Sequence, residues 1–432
     1  MTVSVFLFSL LGAMAIGMPI AYSLLICGLA LMAFMAATGA LPAFDSQILA
    51  QRFVDGADNF PLLAVPFFLL AGEFMNAGGL SRRIVNLAMA WVGHFRGGLG
   101  YVAVLAAVIM ASLSGSAVAD TAALAALLIP MMRQAGYEVN RSAGLIAAGG
   151  IIAPVIPPSI GMIVFGVAGN VSITKLFLAG IVPGVLMGAA IGLTWWWIAK
   201  RDEIRPAPRV GMVQRLKITS EGSLALALPV VILGGMKFGV FTPTEAAVVA
   251  AVYSFAVGMF VYRELKWREL YGLILAAGKT TAVVMFLVAA AMVSAWLITV
   301  ANIPAEVVAM LEPFMGNKTM LMFVMMVIVV IVGTALDFTP TVLILTPVLM
   351  PVVLKAGIDP VYFGVLFIMN NAIGLITPPV GTVLNVVCGV AKISLDDSFK
   401  GVMPFFLAQL AVLFGLVLFP DIVLVPLKFL MR

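Results

Sequence analysis

A chain of 432 residues that is 63% hydrophobic and 10% charged, with a mean hydropathy of +1.18, is excluded from the soluble globular class and belongs in a membrane. At about 20 residues per crossing, the length allows roughly ten spans and leaves no room for a large soluble domain. The net charge of +5 would suit a nucleic-acid partner, but Lys and Arg sit in short inter-helix loops rather than on one face. Membrane orientation explains them, and no nucleic acid is expected. Cys27 and Cys388 lie in apolar segments without metal-type spacing, and the single His94 builds neither a metal centre nor a triad, so no cofactor is expected.

The first apolar segment carries Ala13-Met-Ala15, which resembles a cleavage site, but it lacks the basic leader of a signal and is expected to be a retained span. Hydropathy and breaker residues predict helices near 1–17, 19–38 and 60–78, then a re-entrant pair at 99–135. A broken helix at 141–168 and a helix at 175–199 complete the first half. The second half repeats this near 223–239, 242–262 and 279–300, with a re-entrant pair at 319–356, a broken helix at 361–391 and a helix at 401–427. Segments 80–96 and 302–316 are too polar and short to span and are read as interfacial amphipathic helices. Trp195-Trp196-Trp197 is expected at the aromatic belt. Glu73 and Glu245 are weaker intramembrane signals, and Lys237 and Glu245 lie near a boundary where they can snorkel.

Matches recur at an offset of about 221 to 223 residues. Pro130 with Gly136 recurs as Pro351 with Gly357, Pro157-Pro158 as Pro378-Pro379, and Gly180 with Pro183 as Gly401 with Pro404. The halves are therefore 1–199 and 223–432, joined by a hydrophilic linker at 200–222 expected in the cytoplasm. Five crossings per half, an odd number, invert one half relative to the other. Loops placed inside carry 17 of the 24 Lys and Arg residues, in agreement with that inversion. The expected fold is an all-α polytopic membrane protein built as an inverted repeat with broken helices, a secondary-transporter signature. Both termini are expected in the periplasm.

Each re-entrant pair holds a single acidic residue, Asp120 in Ser112-Leu-Ser-Gly-Ser-Ala-Val-Ala-Asp120-Thr121 and Asp337 in Gly333-Thr-Ala-Leu-Asp337-Phe-Thr339-Pro340-Thr341. An intramembrane carboxylate faces a cavity, a partner or an ion. Neither hairpin interior supplies a basic residue to neutralise its aspartate, and a monovalent cation would serve. Sodium prefers oxygen, which Ser112, Ser114, Ser116 and Thr121 supply in one half and Thr334, Thr339 and Thr341 in the other. The bland alternative is that these hydroxyls bond helix backbone or permit close packing. Asp120 lies just past its tip, where it is also placed to cap the next helix. Gly149-Gly150 through Pro154, Pro157, Pro158 and Ser159 cannot remain helical, and neither can Asn370-Asn371 through Gly374, Thr377 and Pro378. Such breaks free carbonyls for ions and helix N-termini for an anion, where a mere kink is the alternative. Ser112, Ser159, Asn371 and Asn385 are the candidate substrate contacts.

The run Phe60-Pro-Leu-Leu-Ala-Val-Pro-Phe-Phe-Leu-Leu-Ala-Gly72, the two hairpin motifs and Ile152-Ala-Pro-Val-Ile-Pro-Pro-Ser159 together resemble the large membrane subunit of tripartite ATP-independent periplasmic (TRAP) transporters, over essentially the whole chain. The resemblance implies a sodium-driven, elevator-type importer in a bacterial inner membrane. It also implies two partners, a small four-helix membrane subunit and a periplasmic substrate-binding protein. With nothing ahead of the first repeat, the small subunit is expected as a separate chain. Carried over by motif, one sodium site falls at Ser114 and Ser116 with carbonyls from Gly150 through Pro154 to Pro157. The other falls at Asp337, Thr339 and Thr341 with carbonyls from Gly374 through Thr377 to Pro378. The resemblance favours sialic acid as the organic anion, while C4-dicarboxylate members share the same motifs. A proton-coupled transporter is the nearest rival. A channel lacks a charged ring here, and a membrane hydrolase lacks a paired acid or a placed histidine.

Overall fold

The structure, a computed structural model, describes residues 2–40, 44–200 and 208–431, so the centre of the expected linker, 201–207, lies outside the described residues. No strand occurs among the described residues, and eight stretches are long and apolar enough to cross a membrane. The first half runs α1 (Thr2–Ala15), α2 (Ile20–Ala37), α3 (Ser46–Ala57), α4 (Ala64–Ala77, entered by a tight turn Phe60–Leu63) and α5 (Leu80–Val92). It continues with α6 (Gly98–Ser114), α7 (Ala117–Gln134), α8 (Val139–Gly150), α9 (Ile160–Ala168) and α10 (Ile173–Ala199). The second half runs α11 (Met212–Lys237), α12 (Pro243–Ala256, prolonged by a wider turn Val257–Val261), α13 (Trp267–Val300) and α14 (Ile303–Leu311). It ends with α15 (Lys318–Ala335), α16 (Phe338–Lys355), α17 (Pro360–Gly374), α18 (Thr382–Ala391), α19 (Leu395–Leu418) and α20 (Asp421–Leu430).

Both hairpins, α6–α7 and α15–α16, begin and end within one residue of their predicted limits, and both broken helices part where Gly or Asn runs meet proline. Elsewhere polarity hid helical structure. The connection between the helices predicted at 19–38 and 60–78 contains α3, which Asp45 caps by accepting from Gln47 N at 2.8 Å. That polar helix is held by tertiary contact, with Phe53 edge-on to Phe286, Arg52 over the Trp296 ring and Gly56 close against Met292. Likewise α11 starts at Met212 instead of 223 and α13 at Trp267 instead of 279, because charged first turns read as loop in a hydropathy window. The last predicted helix stops at Leu418, and Pro420 opens α20 separately.

Contacts recur with the halves exchanged. Helix α12 packs on α4 as α2 packs on α13, α7 on α18 as α16 on α9, and α19 on α8 as α10 on α17. Reciprocal pairing of this kind is what a pseudo-two-fold axis produces, and an odd number of crossings per half lays that axis in the membrane plane. Helices α1–α4, α12 and α13 pack chiefly on one another, α11 packs chiefly on α5 and then on α12, and the hairpins, broken helices, α10 and α19 pack on one another. The hairpin-bearing group is drawn tight by small residues: a Cβ on Gly144 would strike the backbone of Gly401, and one on Gly401 the backbone of Asn140. Trp195 departs from the belt expectation. It is buried, donates from Nε1 to Gly97 O at 2.8 Å and stacks on Tyr137, tying α10 to the base of the first hairpin, while Trp196 and Trp197 remain about half exposed.

Candidate functional site

The tip of the first hairpin is a tight reversal in which Gly115 takes φ +65, and a Cβ there would run into the Pro158 carbonyl. The turn thus lies directly against the break between α8 and α9. Ser116 is the N-cap of α7 and accepts from Ala119 N, so Asp120 does not perform the capping expected of it. Its carboxylate turns inward instead, 2% exposed, where Ser114 Oγ donates to Oδ1 and Oδ2 has no partner. Beside it Thr121 Oγ1, also buried without a partner, faces Gly150 so closely that no side chain would fit there. Ser114 with Asp120, and Thr121 with the open end of α8, are thus two neighbouring groups of buried oxygens at the first turns of α7.

The second hairpin reverses at Leu336–Asp337. Asp337 occupies the N-cap position of α16 without using its side chain for the cap, and its Oδ1 accepts from Thr382 Oγ1 at 3.2 Å across the other break. Thr341, fully buried, donates to Asp337 O at 2.9 Å. Asn371 donates from Nδ2 to Phe338 O at 2.7 Å, while its Oδ1 is buried and unpartnered close to Gly333. Gly374 meets the Gly333 backbone so closely that a Cβ on Gly374 would strike the Gly333 carbonyl.

The two tips open on one cavity of about 160 Å³. Ser116 and Pro154 reach it from the first half and Asp337, Thr339 and Thr382 from the second, with Leu69 of α4 and Thr280 and Val284 of α13 closing it. Lys and Arg are absent from this lining, and the N-termini of α7 and α16 both arrive at it through Ala117 and Phe338. A negatively charged solute would be met there by helix N-termini rather than by a basic side chain.

Other predicted residues lie elsewhere. Ser112 bonds back to Ile109 O within α6, and Thr377 to Ile373 O within the end of α17. Ser159 is fully buried, donates to Pro154 O and caps α9, so it closes the first break on itself. Asn385 is exposed and bonds Val380 O, away from the cavity. Pro157 is buried and Pro378 exposed, so the two breaks differ in their surroundings; both Pro-Pro bonds are cis. Glu245 neither faces a cavity nor snorkels, since it forms a capping box with Thr242. Thr280 and Thr382 were not singled out from the sequence, although a Thr pair at 280–281 inside an apolar run and a Thr just past Pro-Pro-Val-Gly were visible signals.

Comparison with known proteins identifies the family of the chain. Residues 7–422 match the family model described as tripartite ATP-independent periplasmic transporter, DctM component. The chain is 58% identical over 428 residues to the 2,3-diketo-L-gulonate TRAP transporter large permease protein of Escherichia coli, covering 99% of both chains. It is 37% identical over 418 residues to the sialic acid TRAP transporter large permease protein of Vibrio cholerae, covering 97% of this chain and 96% of that one. Among solved structures, the YdaH transporter of Alcanivorax borkumensis superposes with a TM-score of 0.67 at 16% identity over 92% of this chain and 96% of that one, a likeness of fold alone. A membrane permease rather than an enzyme, the chain belongs to the DctM component family of tripartite ATP-independent periplasmic transporters.

Proposed function

We propose that this permease imports a small organic anion together with sodium, the anion being delivered by a periplasmic binding protein and the permease working beside a small four-helix membrane subunit. The observation that supports it most is the meeting of both hairpin tips at one cavity whose walls carry hydroxyls, a carboxylate and no basic side chain. Sodium fits the oxygens left over. Asp120 Oδ2 and Thr121 Oγ1 in the first half and Asn371 Oδ1 in the second are buried without partners. Unpaired buried oxygens are costly unless something meets them, and a hard monovalent cation is satisfied by such donors. Ser114, Asp120 and Thr121 would hold one ion, and Asp337, with Thr339 and Thr341 beside it, another. The two positive charges also let an anion approach Asp337 without an arginine.

For the substrate, a sugar-acid anion of the diketogulonate kind is favoured over sialic acid and over a C4-dicarboxylate, since the 58% identical relative bears that name and the sialic-acid relative is only 37% identical. Alternation would follow from the packing groups, with hairpins and broken helices sliding as a body against α1–α4, α12 and α13. We place the permease in the inner membrane with both termini in the periplasm, on the reading that the basic inter-helix loops face the cytoplasm. Asp337→Ala, reconstituted with both partners, is expected to abolish sodium-gradient-driven uptake; undiminished uptake would remove Asp337 from the site. Uptake driven by a pH gradient in sodium-free medium would select the proton-coupled reading instead.

A further inference from the structure

Outside the lining of the transport cavity, α11 rests against α5, and its first turn reaches His94 in the loop that follows α5. Between residues 208 and 217 every residue is exposed or half-buried except Arg215, which is 8% exposed. Its guanidinium lies 6.0 Å from the Trp91 ring, and Nη2 approaches His94 Nδ1 at 3.5 Å. No ion pair to Arg215 exists among the described residues, and its Nε is buried with no partner. Burial first, then the charges of Arg215 and Arg209, hold the half-buried His94 below its ordinary value. A buried arginine with an unanswered N–H and no ion pair is costly unless an anion completes it.

The flank says which anion. Met212, Val213 and Leu216 are 62%, 84% and 57% exposed, an apolar surface on the turns that carry Arg209 and Arg215. Trp91 sits among them with Nε1 donating to Thr219 Oγ1 at 2.9 Å, an amphipathic ring at a boundary. A free phosphate would use the cations and leave the apolar flank in water. A phospholipid would use both. We propose that Arg215, with His94 and Arg209, binds the phosphate of an anionic phospholipid whose acyl chains lie along Met212 and Leu216, which share one helix face beside Arg215. Guanidinium and phosphate match as hydrogen-bonded partners, and basic residues at a membrane face are drawn to anionic lipid.

The test uses the purified full-length chain in phosphatidylcholine nanodiscs with increasing phosphatidylglycerol, reading bound phosphatidylglycerol by native mass spectrometry and thermal stability in parallel. Arg215→Gln is expected to raise the half-saturating phosphatidylglycerol content about fivefold. Lys428→Gln, a basic residue at the end of α20, is expected to leave it unchanged. Inorganic phosphate at millimolar concentration is expected neither to stabilise the protein nor to displace the lipid. Equal phosphatidylglycerol binding by wild type and Arg215→Gln would overturn the site, and stabilisation by inorganic phosphate alone would overturn the lipid as its occupant. Should Arg215→Gln fail to fold, Arg209→Gln and His94→Ala carry the same comparison, and unchanged lipid affinity in both would likewise overturn it.

Discussion

At the scale of single residues, Asp120 and Asp337 hold different surroundings although they mark equivalent hairpins. Asp120 is sealed behind Ser114, whereas Asp337 lines the cavity and is bridged by Thr382 to the opposite break. The two substitutions separate charge from shape. Asp120→Asn can still accept from Ser114, so thermal stability is expected near wild type while sodium-dependent uptake falls at least tenfold, measured in proteoliposomes with both partners; full uptake would show that the carboxylate charge is dispensable. Gly115→Ala tests the tip itself. An alanine at φ +65 costs about 1 kcal/mol or more before its Cβ meets the Pro158 carbonyl. Lower thermal stability together with lost transport is expected, and a variant indistinguishable from wild type would mean the turn relaxes freely.

Among elements, α5 is joined to the loop after α12 by one carboxylate. Glu264 accepts from Arg82 and Arg83, each at 2.7 Å, and Arg83 also lies over the Tyr262 ring. Gly79 permits the approach, since at φ +77 any side chain there would strike the Glu264 carboxylate. Burial pushes the Glu264 carboxyl up, but the two arginines outweigh it and hold it below the ordinary carboxylate range. A lowered carboxylate stabilises the fold above its ordinary value and loses that contribution as pH falls through the lowered one. Thermal melts of wild type and Glu264→Gln are therefore expected to differ at neutral pH and to converge in acid. Arg83→Ala is expected to cost more than Arg82→Ala, because Arg82 is 59% exposed and screened by water while Arg83 is 21% exposed. Equal melts across the pH range would deny the clamp any weight.

For the whole molecule, movement of the hairpin-bearing group against the rest requires the fixed wall of the cavity to change company. Thr280 of α13 is on that wall and exposed, while the native Cys27 and Cys388 are buried. A maleimide is therefore expected to label Thr280→Cys and not the parent protein, and labelling is expected to slow severalfold when sodium and substrate saturate the site. A labelling rate independent of both would argue against movement at this wall.

Hydropathy, breaker residues and the 221-residue offset determined by themselves the membrane class, the hairpins and the broken helices, because each is a local property of the chain. Glycine cannot be replaced at a reversed tip, proline cannot continue a helix, and lipid leaves the backbone no other partners. The same local reasoning missed α3 and the starts of α11 and α13, whose polar turns are helical because they pack on neighbours distant in sequence. It also could not say which way a side chain points. One residue turns the helix face by about 100°, and that rotation separates buried Trp195 from exposed Trp196. Asn371, buried at the second hairpin, and Asn385, exposed, read alike as polar residues in apolar runs. Only the tertiary structure turned Asp120 inward, brought Thr280 and Thr382 to the cavity and buried Arg215 with its Nε unpartnered, because those outcomes depend on how the two halves exchange contacts across their shared axis.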